Sequence, residues 1–301
     1  MSSTTSLRPL LRGLTLAAAA LVVACGGDSS GPSGPSAPSD PSGPGAPSTP
    51  GAPNPQPADP QPVPTPTPGI EGRVIFGLTC ANQLVVFGSE NPETLAREVP
   101  ITGMSAGAAM LGIDFRGGAL YGIGSDSRMY SVDTLSGAAT AMGSALAPAP
   151  QGTHFGLAYD AVRDLLHLSG VESNQSLVID AGTGSIAVQP GMAYAADDAH
   201  FGIDPAVTAE AYLGPALFGI ETNANAIVKV SQQTGEVTTV ADLPFNVYLC
   251  GGLDVDTDGT AYAALSTDNG SELYTVDLLT GSTELLGSIA GSPVHSIALR
   301  P

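Results

Sequence analysis

The feature that most constrains this chain is that it repeats itself about every 45 residues over most of its length, a period at which stacked supersecondary units form instead of one irregular core. The strings Ile75-Phe76-Gly77-Leu78, Leu120-Tyr121-Gly122-Ile123, Leu165-Leu166-His167-Leu168, Leu217-Phe218-Gly219-Ile220 and Ala261-Tyr262-Ala263-Ala264 occupy equivalent positions in five successive units. A second alternating run follows each, clearest in Met129-Tyr130-Ser131-Val132-Asp133 and Leu273-Tyr274-Thr275-Val276-Asp277. A turn then recurs as Leu135-Ser136-Gly137, Ala181-Gly182-Thr183-Gly184, Gln233-Thr234-Gly235 and Leu279-Thr280-Gly281. Glycine supplies the positive φ of tight hairpin turns, so the runs are antiparallel strands and not helices. A third short run comes after each turn, as in Ala139-Thr140-Ala141-Met142. A further strand precedes each unit but the first: Leu111 to Phe115, Phe155 to Tyr159, Val207 to Leu213, and Gly251 to Val255.

Four short strands per unit make a propeller blade. The first unit lacks its leading strand, while His295-Ser296-Ile297-Ala298-Leu299 at the C-terminus has no blade after it. The sequence therefore predicts an all-β, five-bladed β-propeller over residues 70–301, closed by the C-terminal strand, which removes the exposed edges that seed aggregation. The 38 Gly and 26 Pro residues fit this reading, because both are unfavourable inside helices. With nine Lys and Arg against 28 Asp and Glu, the formal charge of -19 rules out a nucleic-acid partner, whose phosphates are met largely by basic side chains.

Ahead of the repeats the chain changes character twice. Arg8 and Arg12 precede an apolar run, Leu14 to Val23, too short for a stable span but of the size of a signal-peptide core. It ends in Leu21-Val22-Val23-Ala24-Cys25-Gly26, which resembles the lipobox of bacterial lipoproteins. Residues 1–24 are thus expected to be a lipoprotein signal peptide, with Cys25 lipidated, palmitate among its acyl groups, and each buried CH₂ adding about 0.8 kcal/mol to membrane attachment. Gly26, standing where enteric lipoproteins retained at the inner membrane carry Asp, points to an outer-membrane location in a bacterial cell envelope. Residues 25–69 hold the lipidated Cys and a Pro/Ser/Gly-rich stalk that cannot bury a core. It is expected to be disordered, with polyproline II character and a reach of roughly 130 Å.

Cys80 and Cys250 remain after processing, in an oxidising compartment where disulfides persist. Cys80 ends the second strand of the first blade and Cys250 opens the innermost strand of the fifth. Ring closure makes these blades neighbours, so a Cys80–Cys250 disulfide is expected. Asp254-Val255-Asp256-Thr257-Asp258-Gly259 resembles the opening of a calcium loop, although Leu265 stands where a bidentate Glu is needed. Asp254, Asp256 and Asp258 are the candidate calcium ligands. His154, His200 and His295 fall at or just before innermost strands, on one face of the wheel, and imidazoles near Asp197, Asp198 and Asp204 would suit zinc or another divalent ion. Gly103-Met104-Ser105-Ala106-Gly107 matches a nucleophile-elbow pattern but lacks the strand-to-helix setting that would expose the serine. It reads as an inter-blade link, and no catalytic residue is assigned.

The repeated Leu-Tyr-Gly-Ile and Val-Asp-x-x-Thr-Gly elements, with Ile101-Thr102-Gly103 leading into Leu111-Gly112-Ile113-Asp114-Phe115-Arg116, resemble a bacterial secreted family catalogued as domain of unknown function 4394. That resemblance covers nearly all of residues 74–300. It implies a propeller-like fold and an extracytoplasmic setting, without an activity. In blade three, Arg163-Asp164-Leu165-Leu166-His167-Leu168 stands where relatives tend to carry a more basic strand. The functional expectation is a non-enzymatic binding module for an unknown protein or small-molecule ligand, held off the membrane by its stalk. The alternative is a metal-dependent hydrolase of the lactonase type, using a central calcium or zinc ion to activate water.

Overall fold

A computed structural model describes residues 69–301. The signal segment, Cys25 and all but the last residue of the stalk lie outside the described residues. Every regular element described is a strand, and the strands fall into five small sheets around an axis. Blade 1 combines β1 (Val74–Thr79), β2 (Gln83–Gly88) and β3 (Leu95–Pro100) with a strand from the far end of the chain. Blade 2 is β4 (Met110–Arg116), β5 (Ala119–Gly124), β6 (Arg128–Val132) and β7 (Ala139–Met142). Blade 3 is β8 (Phe155–Asp160), β9 (Leu165–Gly170), β10 (Gln175–Asp180) and β11 (Ile186–Gln189).

In blade 4 a two-residue strand, β12 (Ala193–Tyr194), precedes β13 (Val207–Leu213), β14 (Ala216–Glu221), β15 (Ala226–Val230) and β16 (Glu236–Asp242). β12 pairs parallel to β16 as a fifth, outermost strand. Blade 5 is β17 (Gly251–Val255), β18 (Ala261–Thr267), β19 (Gly270–Val276) and β20 (Thr283–Ser288). β21 (Val294–Leu299) then leaves blade 5 and pairs antiparallel with β1, Ile75 opposite Leu299 and Gly77 opposite Ile297. The expected closed, five-bladed propeller is the observed fold.

The repeated Val-Asp-x-x-Thr-Gly element has a local cause. Asp133 Oδ1 accepts from the backbone N–H of Leu135 and Ser136 at 3.0 and 2.8 Å, and Asp277 Oδ1 accepts from Leu279 and Thr280 at 2.8 and 3.0 Å. Asp180 does the same for Gly182 and Thr183. The carboxylate thus satisfies turn donors that no strand can reach. The closing glycines, Gly137, Gly184 and Gly281, take φ of 73°, 74° and 80°, a region costly for a residue with a Cβ.

Strand alternation then assigns each blade two different neighbours. On β1, Phe76 and Leu78 enter a buried cluster with Met110, Ile113 and Phe115 of blade 2. Ile75, one position away, enters a cluster with Ala264 and Leu273 of blade 5. Blades 2 and 3 meet through Ile123, Met129, Leu157 and Leu166, and blades 4 and 5 through Phe218, Ile227, Leu253 and Tyr274. The hydrophobic core is therefore distributed over the seams between blades.

Side-chain stitches reinforce those seams near the axis. Asp114 Oδ2 accepts from Tyr159 N at 2.7 Å between blades 2 and 3, and Asp254 Oδ2 accepts from Leu299 N at 2.7 Å between blades 5 and 1. Ser296 Oγ accepts from Ile113 N at 3.1 Å and links blade 1 to blade 2. Arg300, just past the closing strand, lies over the rings of Phe76 and Phe115 at 5.4 and 5.2 Å. The inner strands come close enough that a Cβ on Gly252 would lie 2.4 Å from Ile297 N.

Candidate functional site

An inner strand has two ends, and each end of the wheel carries a cavity. Where inner strands begin, a cavity of about 240 Å³ is lined by Cys80, Met110, His154, Phe155, Leu249, Cys250 and His295. The hairpin turn after β1 delivers Cys80 there, and the connection into β17 delivers Cys250. Where the strands end, a cavity of about 270 Å³ is lined by Arg73, Asp114, Tyr159, Tyr212, Asp254 and Asp256.

The first cavity collects residues that the sequence singled out separately. Cys80 Sγ and Cys250 Sγ lie 2.8 Å apart. That juxtaposition is the one ring closure requires, but both cysteines are free thiols, the separation exceeding the 2.03–2.05 Å of a disulfide bond. The contact with Cys80 lowers Cys250 to about 6 against opposing burial, with the nearby His154 acting in the same direction as Cys80. Cys80 is pushed up by the same contact and by burial. The pair thus shares one proton more tightly than two separate thiols would.

His154 is held by an acidic partner, its Nδ1 lying 2.5 Å from Glu172 Oε1. Burial opposes ionisation of Glu172, but hydrogen bonds from Thr153 and His154 outweigh it and keep the carboxylate below its usual range. Burial lowers His295 to about 4, so this imidazole is neutral under ordinary conditions.

His200 does not join them. The long connection ahead of β13 folds outward over the edge of blade 4, where His200 Nδ1 meets Thr239 Oγ1 at 3.0 Å and its ring packs on Tyr194, 5.5 Å between centroids. Asp198 in the same connection is occupied by Thr239, accepting from its backbone N–H at 2.6 Å and from its hydroxyl at 2.9 Å. The expectation that three histidines share one rim is thus corrected: two do, and the third is anchored against β16.

The candidate calcium loop lies at the opposite end of the axis from His154 and His295, and its carboxylates do not converge. Asp254 accepts from Val255 N and Leu299 N, both at 2.7 Å. Asp256 pairs with Arg73 at 2.7 Å, and Asp258 accepts from Thr260 N at 2.8 Å. Backbone donors and one guanidinium take up the oxygens a cation would need. Burial raises Asp254 to about 7, against its two backbone hydrogen bonds, and raises Asp114 as well, with Asp254 adding repulsion. Among the described residues no three His, Cys, Asp or Glu side chains stand together as a ligand set for a metal ion.

One constellation was not found in the sequence. His167 Nδ1 lies 2.8 Å from Glu210 Oε2, His167 Nε2 lies 2.9 Å from Ser176 Oγ, and Ser169 Oγ donates to Glu210 Oε1 at 2.9 Å. The serine, imidazole and carboxylate follow the order of a hydrolytic triad, but His167 and Glu210 are 0% and 1% exposed. No substrate reaches them. They stitch blade 3 to blade 4, a seam whose apolar cluster takes little more than Ala158 from blade 3. Ser105 of the glycine-rich link donates to Asp126 Oδ2 at 2.5 Å and has no histidine beside it.

A family model described as "Domain of unknown function (DUF4394)" matches residues 83–298. The chain belongs to this family. The matched DUF4394 segment begins in β2 and ends in β21, so it includes Cys250, His154 and His295 and leaves Cys80 just outside. No curated protein matches the chain. Among solved structures, similarity is found to a chain of a nidogen/laminin complex, with TM-score 0.48, 11% identity, and coverage of 76% of this chain and 98% of that one. A structural genomics protein of unknown function from Bacteroides thetaiotaomicron gives TM-score 0.49 and 15% identity over 76% of this chain and 64% of that one.

Proposed function

We propose that this DUF4394 propeller is the binding head of a cell-envelope lipoprotein, anchored through acylated Cys25 and contacting a protein or small-molecule ligand with the end of the wheel where inner strands begin. The observation that carries the reading is the pair of large side chains left exposed on the connection into β17. Tyr248 is 49% exposed and Leu249 39%. Leu249 continues directly into the cavity lined by His154 and His295. Exposed apolar groups beside a recess with a few polar groups are what contact surfaces and ligand sites present. The formal charge of -19 favours a cationic or neutral partner over an anionic polymer. Among the described residues no helix is long and apolar enough to cross a membrane, and the acyl chains would supply the attachment.

The hydrolase alternative has no observation in its favour, since its candidate ligands divide between the two ends of the axis and its buried serine is sealed. The test is affinity capture of the intact lipoprotein from its own cells beside the double variant Tyr248→Ala, Leu249→Ala. The binding reading expects a co-purifying species that the variant loses while keeping its fold. Equal capture by both proteins would overturn the assignment of this face.

A further inference from the structure

We propose that Cys80 and Cys250 form a thiol–disulfide exchange couple whose substrate is a low-molecular-weight disulfide entering the cavity where inner strands begin. The geometry carries this inference. The two sulfurs, separated by 170 positions in the chain, lie 2.8 Å apart across the seam at which the ring closes, a closer approach than packing of two unrelated thiols requires. Both line an open cavity of about 240 Å³, large enough for one half of a small disulfide. Cys80 is exposed and Cys250 is half-buried, so an attacking sulfur and a resolving sulfur are both reachable. His154, oriented by Glu172, and His295 line the same cavity. His154 lines this cavity and acts on Cys250 but not on Cys80, which makes Cys250 the attacking sulfur. The couple stands independently of the binding role proposed above.

In the exchange, the Cys250 thiolate attacks one sulfur of the external disulfide. That S–S bond breaks, a mixed disulfide forms at Cys250, and the departing half takes up a proton as a thiol. Cys80 then gives its proton to solvent and attacks the Cys250 sulfur, forming the Cys80–Cys250 bond and releasing the second half as a thiol. Two electrons pass from the cysteine pair to the substrate, which ends as two thiols. The oxidised wheel is stapled between blades 5 and 1, and the reduced one is held there by packing and hydrogen bonds alone.

The test uses the full-length lipoprotein, reduced and then exposed to oxidised glutathione, with the Cys80 and Cys250 peptides mapped by mass spectrometry. The expected result is a Cys80–Cys250 crosslink that excess reduced glutathione reopens in the folded protein. Iodoacetamide should modify Cys250 faster than Cys80, with a rate that rises at lower pH than for an ordinary thiol. Cys80→Ser should accumulate glutathione on Cys250. Failure to form the crosslink, a crosslink that glutathione cannot reopen, or preferential modification of Cys80 would overturn the proposal. Cys250→Ser should leave Cys80 largely unmodified, and the Cys80→Ser and wild-type arms decide the matter even where Cys250→Ser does not fold.

Discussion

The closest approach between the closing strand and its neighbour offers a steric test of the ring. A methyl group on Gly252 would sit 2.4 Å from Ile297 N and 2.7 Å from the Ser296 carbonyl carbon, whereas ordinary contact begins at 3.4 Å. β17 and β21 would have to separate by about 1 Å, against backbone atoms that cannot rotate away. The displacement falls beside the Asp254–Leu299 stitch of 2.7 Å. Overpacking of this kind costs about 1–3 kcal/mol, and loss of the stitch places Gly252→Ala at the upper end, a fall in Tm of roughly 5–10 °C for a domain of this size. Gly251 supplies the control. It is adjacent in the same strand, yet its added methyl would meet nothing nearer than 3.5 Å. Thermal unfolding of the two variants by circular dichroism should show Gly251→Ala within about 2 °C of the parent and Gly252→Ala far below it. Equal effects, or the reverse order, would refute the claim that β17 packs directly on β21.

Two further outcomes follow from buried polar groups. Asp254 is raised to about 7 in the folded protein from an ordinary value of 3.8, so its contribution to stability is complete below about pH 4 and lost as pH rises towards 7. Urea unfolding of the parent across this window, beside Asp254→Asn, should show a decline with pH that the variant flattens, and parallel profiles would count against the burial of Asp254. Glu210→Ala leaves His167 and Ser169 with unmatched polar atoms inside the blade 3–4 seam, which should cost about 3–5 kcal/mol in urea unfolding, whereas a change below about 0.5 kcal/mol would show that the network is not a stitch.

Much of the fold was legible because the repeat is written in local chemistry. Asp133, Asp180 and Asp277 each cap the turn that their own motif encodes, and alternation along β1 names both neighbouring blades within a few residues. The spare strand at Val294–Leu299 was readable as a partner for β1 because a blade lacking its inner strand was visible at the other end. What the sequence hid is what depends on distant elements. Glu210 and His167 belong to different blades, and nothing within either strand announces their pairing. β12 was missed because two residues joined in parallel to β16 leave no periodic pattern. Asp254 resembled a calcium ligand since alternate carboxylates look alike in sequence whether they face a cation or the N–H of Leu299. His200 was placed on the rim by its position before β13, but the long connection carrying it folds over the outer edge of blade 4. The cysteine pair was inferred from topology and the thiols do meet, while the bond between them is absent.

The central claim is that β21 seals the wheel by pairing with β1, and amide hydrogen exchange resolved by residue tests it most directly. Amides of Ser296 and Ala298, whose N–H groups face β1 while that of Leu299 turns to Asp254, should exchange as slowly as those of Ala263 and Leu265 in β18, through global unfolding alone, because β21 is buried between β1, β4 and β17. Exchange of residues 294–299 orders of magnitude faster than β18, with β1 exchanging alongside them, would mean that the ring stands open and that blade 1 lacks its inner strand.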